Sequence, residues 1–399
     1  MSEARPAKSR LRRLVVLLSV ATLALVFVRV FVARTYRVTT ASMEPTILGA
    51  RGEDFGGERV LVTFGVGELQ RFDLVVVDRG SGVAPFVKRV GGMPGERIRL
   101  LDGDLLIDGE RLPADAPRPP AIELFDSTVD DITASFHFRE APEGAWTRRD
   151  DGVLSLAGGD VPVGSDAGLL LLHKELRDGY RLADGSLDPG VQAANDGGLS
   201  VEFRLEDQDA ILRARLVEEG DLFELSLALT ETGALELILV RDPGGEELAR
   251  VPIRFSPPGA DEWMRLDFSN IDNHLRVSVT TLATDETLVD LVATYQANEP
   301  YNGILPDDRT SVAARVAIGG ASGDLSLRNL RVTRDHLWLP LGTYAVAESL
   351  DLGPDEYFLL GDNSADSADS RLWGPVQASK LIGRPRAIVG PWARRRALR

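Results

Sequence analysis

Between residues 121 and 335 the chain alternates apolar and polar residues in short runs that return about every ten to twelve positions: 199–205, 210–217, 222–229, 234–240, 263–268, 274–280, 312–318 and 325–332. A period of two sends successive side chains to opposite faces, so each run can bury one face of a strand and wet the other. Short strands with regular turns and no helical period predict a β-sandwich here. No segment repeats closely enough for a solenoid. The same stretch carries 40 acidic and 19 basic residues, whereas the rest of the chain carries 21 and 26. The net charge of −16 therefore belongs to the middle, and the flanks are mildly basic. That balance argues against a nucleic-acid partner, which needs a basic face.

The flanks read differently. Residues 14–28 (LVVLLSVATLALVFV) form an uncharged apolar run that continues through residues 30–33 past Arg29. About 20 such residues suffice to span a bilayer as a helix, with the arginine reaching toward the headgroups. Arg5, Lys8, Arg10, Arg12 and Arg13 precede the run against Glu3 alone, so the positive-inside bias puts the N-terminus in the cytoplasm. The alternative is a cleaved signal peptide, but Phe31-Val32-Ala33-Arg34 makes a poor cleavage site. The expectation is a single-pass transmembrane anchor in the cell (inner) membrane, carrying an extracytoplasmic body.

Residues 59–64, 74–77 and 86–90 are Val- and Phe-rich strand candidates, and 97–110 reads as a hairpin turning at Asp102-Gly103. A Pro-rich bridge at 112–121 looks like a linker. Residues 357–360 predict a strand running into the turn Gly361-Asp362-Asn363-Ser364. Residues 384–399 hold six arginines and no acid, which suits either contact with anionic lipid or a solvated tail. The domain boundaries expected are 1–35 for the basic N-terminus and anchor, 36–120 and 336–399 for two parts of one catalytic domain, and 121–335 for an inserted sandwich.

Chemistry is constrained by what is scarce. There are no cysteines, which excludes disulfides, thiolate metal sites and a cysteine nucleophile. The four histidines, His137, His173, His274 and His336, make a His-rich metal centre improbable, and no metal or cofactor is expected. Of the 45 basic residues only Lys8, Lys88, Lys174 and Lys380 are lysine. Lys88 stands in the apolar run Ala84-Pro85-Phe86-Val87-Lys88-Arg89-Val90. Arginine keeps its proton in a protein, whereas burial disfavours a lysine ammonium and frees its amine to act as a general base. The other reading of Lys88 is a lysine on the exposed face of an edge strand. Just beyond the apolar span, Thr39-Thr40-Ala41-Ser42-Met43-Glu44-Pro45-Thr46 puts a serine on a proline-bounded turn.

Three segments taken in order resemble bacterial type I signal peptidases: Ser42-Met43-x-Pro45-Thr46; Phe86-x-Lys88-Arg89-Val90-x-Gly92-x-Pro94-Gly95-Glu96; and Gly361-Asp362-Asn363 followed by Ser367-x-Asp369-Ser370-Arg371-x-Trp373-Gly374. Residues 70–77 (QRFDLVVV) resemble the strand before that family's lysine. The resemblance covers 36–113, 336–399 and the anchor. It implies a mainly β catalytic fold in which Ser42 is the nucleophile, Lys88 the general base and Ser367 the group that orients the amine. It further implies an oxyanion hole from the Ser42 N–H and the Thr40 hydroxyl, a structural ion pair of Asp369 with Arg371, and a turn shaped by Gly361 and Asn363. Thr40 stands where many relatives have serine, and Ser364-Ala365-Asp366 replaces a more polar run. Shallow pockets selecting small residues before the cut (Ala-x-Ala) would be lined by Val38, Met43, Ile47 and Phe86, unless these simply pack the core.

The middle resembles concanavalin-A-like (laminin-G-like) jelly rolls at residues 263–277 and 319–332, which leaves a glycan or protein ligand and a plain spacer both open. The function expected is a membrane-anchored serine endopeptidase removing signal peptides from exported preproteins at the bilayer surface. The alternatives are an inactive tethered binding protein, for which the three motif residues would have no use, and a Ser-Lys self-cleaving regulator, which the anchor and the lack of a DNA-binding helix pair disfavour.

Overall fold

The computed structural model describes residues 6–27, 32–52, 55–78, 80, 84–101, 103–138, 145–158, 167–172, 176–194, 196–218, 221–231, 234–242, 244–253, 262–296 and 316–398. Residues 28–31 of the apolar run, Asp102, His173, Lys174 and residues 312–315 of one expected strand lie outside them. The chain is mainly β. It divides into two compact units, one of Met1–Leu101, Leu105–Glu110 and Trp338–Arg399, the other of Asp102–Asp104 and Arg111–Leu337.

The first unit begins with a helix, Pro6–Phe27, that takes in most of the N-terminal apolar run. Among the described residues no helix is long and apolar enough to cross a membrane. Its body is an antiparallel sheet in the order Ala33–Arg37, Arg59–Phe64, Leu381–Gly390, Leu74–Val77, Phe86–Gly92, Glu356–Leu360 and Val376–Gln377. The sheet interleaves the two sequence halves. Leu381–Gly390 enters between Arg59–Phe64 and Leu74–Val77, while Glu356–Leu360 pairs with Phe86–Gly92. Leu74–Val77 is buried at all four positions, which is why it reads as an unbroken apolar run rather than an alternating one. Val38, Met43, Ile47, Val60, Val62, Leu74, Val76 and Ile388 form one core cluster of this unit; Leu69, Val75, Val77, Val90, Leu359 and Leu381 form another.

The second unit contains a seven-stranded and an eight-stranded antiparallel sheet. Seven consecutive register pairs between Gly197–Leu205 and Met264–Ile271, and eight between Ile211–Glu218 and Asp221–Leu229, set the alternation that the sequence displays. Side chains from both sheets, Phe203 and Phe268 from one and Phe223 and Leu237 from the other, pack into a single core. Full burial of each such side chain is worth about 1.5–3 kcal/mol. The alternation missed Glu246–Ile253 and Thr287–Thr294, whose two faces are both partly wet and whose apolar residues are interrupted by charge.

Candidate active site

Ser42 sits in a 3₁₀ turn, Ala41–Met43, that leaves Thr40 extended at its head. The Glu44 and Ile47 amides donate back to the Ala41 and Met43 carbonyls at 2.9 and 2.8 Å, closing the loop. The fully buried Glu44 carboxylate accepts from the Gly49 amide at 3.0 Å and pairs with Arg51, so the loop carries its own internal brace. A Cβ at Gly49 would lie 2.3 Å from the Thr40 carbonyl oxygen, so only glycine lets the chain pass beneath the nucleophile's turn.

Lys88 is placed by register. It faces Val75 across the pair of strands Leu74–Val77 and Phe86–Gly92, and it is 1% exposed. Its Nζ lies 2.7 Å from Ser42 Oγ and 3.1 Å from Ser367 Oγ. Burial lowers its pKa to about 8, against the opposing pull of Asp369 and Asp362. The exposed edge-strand reading of this lysine is therefore excluded by the structure. Arg89, the next residue, turns to the other face, where it pairs with Asp362 at 2.6 Å and donates to the Phe72 carbonyl.

The third segment closes over the amine. The Asn363 amide donates to the Ser42 carbonyl at 3.2 Å. A Cβ on Gly361 would come within 2.1 Å of Ser367 Oγ and 2.5 Å of the Ser42 carbonyl oxygen, so this position requires a residue without a side chain. Asp369 and Arg371 pair at 2.8 Å with almost no exposure. Burial alone would raise the Asp369 carboxyl, but Arg371, the Ser367 hydroxyl and the Gly361 amide hold it below its ordinary value. Ser367 thus gives its proton toward Asp369, which leaves its oxygen lone pairs toward Lys88. Ser364, which the sequence offers as a turn residue and a departure from the family pattern, accepts from Arg371 Nη1 at 2.6 Å through its hydroxyl and from Nη2 at 2.8 Å through its carbonyl. Glu44 and Ser364 are the structural members of this site that sequence reasoning missed. The signal for Glu44 is a lone charge inside an otherwise uncharged, proline-bounded motif.

Thr40 Oγ1 lies 3.4 Å from Ser42 Oγ. A cavity of about 50 Å³ runs beside them, lined by Val38, Met43 and Phe86 together with Tyr36, Val62, Val76 and Val87. Ile47 does not reach it. One turn beyond Met43 it is wholly buried in the core cluster with Val60 and Ile388, a correction to its reading as a pocket residue. Phe86 stacks on Trp373 at 6.0 Å between ring centres.

In the second unit, Asp104, Asp196 and Asp272 bring carboxylate oxygens within 4.8 Å of one another, a grouping the sequence did not reveal and the one donor set among the described residues that could hold a metal ion. Burial and the neighbouring Asp272 push Asp104 up to about 8, although Arg111 pairs with Asp104 at 2.7 Å and Arg118 with Asp272 at 2.5 Å.

Comparison with known proteins agrees with the order of these segments. The family described as signal peptidase, peptidase S26, matches residues 11–142 and 315–392, together more than half of the chain, and passes over the bulk of the sandwich. Signal peptidase I of Bacillus licheniformis is 33% identical over 88 residues, covering 21% of this chain and 44% of the relative. Signal peptidase I T of Bacillus subtilis is 33% identical over 96 residues, covering 23% and 46%. The chain thus spans less than half the length of these two relatives. Among solved structures, a xylan β-1,4-xylosidase from Bacillus halodurans is 15% identical with a TM-score of 0.34, covering 75% of this chain and 56% of that one, a likeness too slight to carry an argument. Since the family match covers more than half of the chain and its second stretch runs on into the segment that brings Ser367 to Lys88, the chain belongs to the signal peptidase family, peptidase S26.

Proposed function

We propose that the chain is a serine endopeptidase of the signal peptidase I type, acting on exported preproteins through a Ser42–Lys88 dyad. One observation carries the reading: a lysine amine buried in an apolar strand, with a pKa brought down to about 8, within 2.7 Å of a serine hydroxyl. In its neutral form the amine accepts the Ser42 proton while its own N–H is directed by Ser367. Ser42 Oγ then bonds to the scissile carbonyl carbon. The oxyanion that forms is held by the Ser42 N–H and the Thr40 hydroxyl, donors fixed in advance by the 3₁₀ turn. The Lys88 ammonium returns its proton to the departing amine, and water, deprotonated in the same way, releases the acyl-enzyme. Asp369, Arg371 and Ser364 hold the third segment in shape.

The small cavity supports a preference for small side chains before the cut. At about 50 Å³, walled by the apolar side chains of Val38, Met43 and Phe86, it suits small apolar groups. Anchoring by the apolar segment around Pro6–Phe27, with the N-terminus cytoplasmic, would hold Ser42 at the bilayer surface where a substrate's own apolar segment emerges. The test is cleavage of a preprotein in detergent by the wild-type chain, Ser42→Ala and Lys88→Ala. Both substitutions are expected to abolish turnover; activity surviving both would end the dyad reading.

A further inference from the structure

Three consecutive arginines near the C-terminal end of the first unit divide by direction. Arg394 Nε donates to the buried Glu58 carboxylate at 2.5 Å, and Arg396 Nη2 donates to the Thr46 carbonyl at 2.7 Å. Pairing of Arg396 with Ile388 and of Ala397 with Ala387 fastens the same segment to the sheet. This end of the chain is therefore not a free solvated tail through Leu398. Arg395 between them points away. Its Nε donates to the Val389 carbonyl at 3.0 Å, and its guanidinium carbon lies 3.6 Å from the centre of the Trp392 ring, which is 77% exposed.

Beside this stacked pair lies a cavity of about 440 Å³, lined also by Arg37, Arg59 and the chain at Gly57 and Gly390, with no acidic side chain among the described residues of its wall. Arg37, Arg59 and Arg395 are all exposed, and none has a carboxylate partner among the described residues. Gly57 could not carry a side chain, since a Cβ there would sit 1.9 Å from the Val38 carbonyl oxygen. Three guanidiniums around one hollow, none of them paired with a carboxylate among the described residues, favour a phosphate, whose oxygens match the planar fork of donors. The exposed indole argues that this phosphate belongs to a lipid. An amphipathic ring of this kind settles at the membrane–water interface, whereas a free anion offers it nothing to cover its apolar face. Position agrees: Arg37 ends the strand Ala33–Arg37, only about 13 Å of extended chain from Ala33 at the far end of the apolar run.

We infer that this cavity binds the phosphate of an anionic phospholipid headgroup, with Arg37, Arg59 and Arg395 around the phosphate and Trp392 seated among the neighbouring headgroups. The inference deepens the anchored-enzyme reading, on which it rests for the closeness of the cavity to the bilayer.

The full chain in neutral detergent, offered phosphatidylglycerol and phosphatidylcholine in equal amounts, should retain phosphatidylglycerol preferentially when bound lipid is counted by native mass spectrometry. R59Q/R395Q should lower that preference about thirtyfold, at roughly fivefold per charge near a membrane surface, and W392A should lower it severalfold. Millimolar inorganic phosphate should leave lipid retention unchanged. Equal retention of the two lipids, or an undiminished preference in R59Q/R395Q, would overturn the inference. So would displacement of the lipid by inorganic phosphate that binds W392A as well as the wild type, which would mark a free-anion site. Flotation with pure phosphatidylcholine vesicles separates the two readings: wild type and R59Q/R395Q should both float if the apolar segment anchors the chain. Failure of both to float removes the anchor, and the lipid count in detergent still judges the cavity.

Discussion

At the scale of single residues, burial of Lys88 has a cost that the fold carries whenever the amine is charged. Its pKa falls from 10.5 to about 8, so the folded state loses the proton before the unfolded state does. Between about pH 8 and 10.5 the unfolded chain binds more protons, and stability attributable to this group rises with pH; below about 8 the penalty is full. At about 1.4 kcal/mol per pH unit, the penalty at pH 7 is on the order of 3 kcal/mol. Lys88→Met should therefore be inactive yet more stable than wild type at pH 7 by about 2–3 kcal/mol in urea unfolding, with the gain vanishing above about pH 10.5. Equal stability at all pH values would mean that the amine is solvated. Thr40 gives a sharper kinetic test. Its hydroxyl stands 3.4 Å from Ser42 Oγ, and removing one oxyanion donor typically costs 10²–10³ in kcat. Thr40→Val should lose about that much while Thr40→Ser keeps activity; comparable rates in both would take Thr40 out of the oxyanion hole.

At the scale of elements, the site is an intersection of the 3₁₀ turn Ala41–Met43, the strand Phe86–Gly92 and the turn from Gly361 to Arg371. The last is held by buried charge. Arg371 is 1% exposed and donates to Asp369, Ser364 and the Leu339 carbonyl. Truncating one partner of a buried pair leaves the other uncompensated and costs about 3–5 kcal/mol. Arg371→Ala should unfold at correspondingly lower urea concentration and lose turnover with it; an unchanged midpoint would contradict the pairing. The strands of this unit were legible in sequence because apolar Val-rich runs flank each motif, and residues 59–64 and 74–77 were read with the bounds they have. What was not legible depends on neighbours distant in sequence. Ile47 reads as a pocket residue beside Met43 but turns inward because the Ile47 amide closes onto Met43. Ser364 reads as a substitution, and its work for Arg371 emerges only once the turn folds back on itself.

At the scale of the whole molecule, alternation and charge point to a sandwich between two flanks, and the family match breaks off and resumes within it, skipping its central strands. The sequence order of Ser42, Lys88 and Ser367 carried the family, but their meeting depends on the strand Glu356–Leu360 pairing with Phe86–Gly92 across the intervening chain. The acid grouping of Asp104, Asp196 and Asp272 was invisible for the same reason, since its members are distant in sequence and show no ligand spacing. The central claim is that a neutral Lys88 amine takes the Ser42 proton. Its most direct test is the pH dependence of single-turnover cleavage of a preprotein by the complete chain in detergent. The rate should rise about tenfold per pH unit below about 8 and level off above it, as the folded amine loses its proton. A flat profile from about pH 5 to 9, or an undiminished rate in Lys88→Ala, would contradict it.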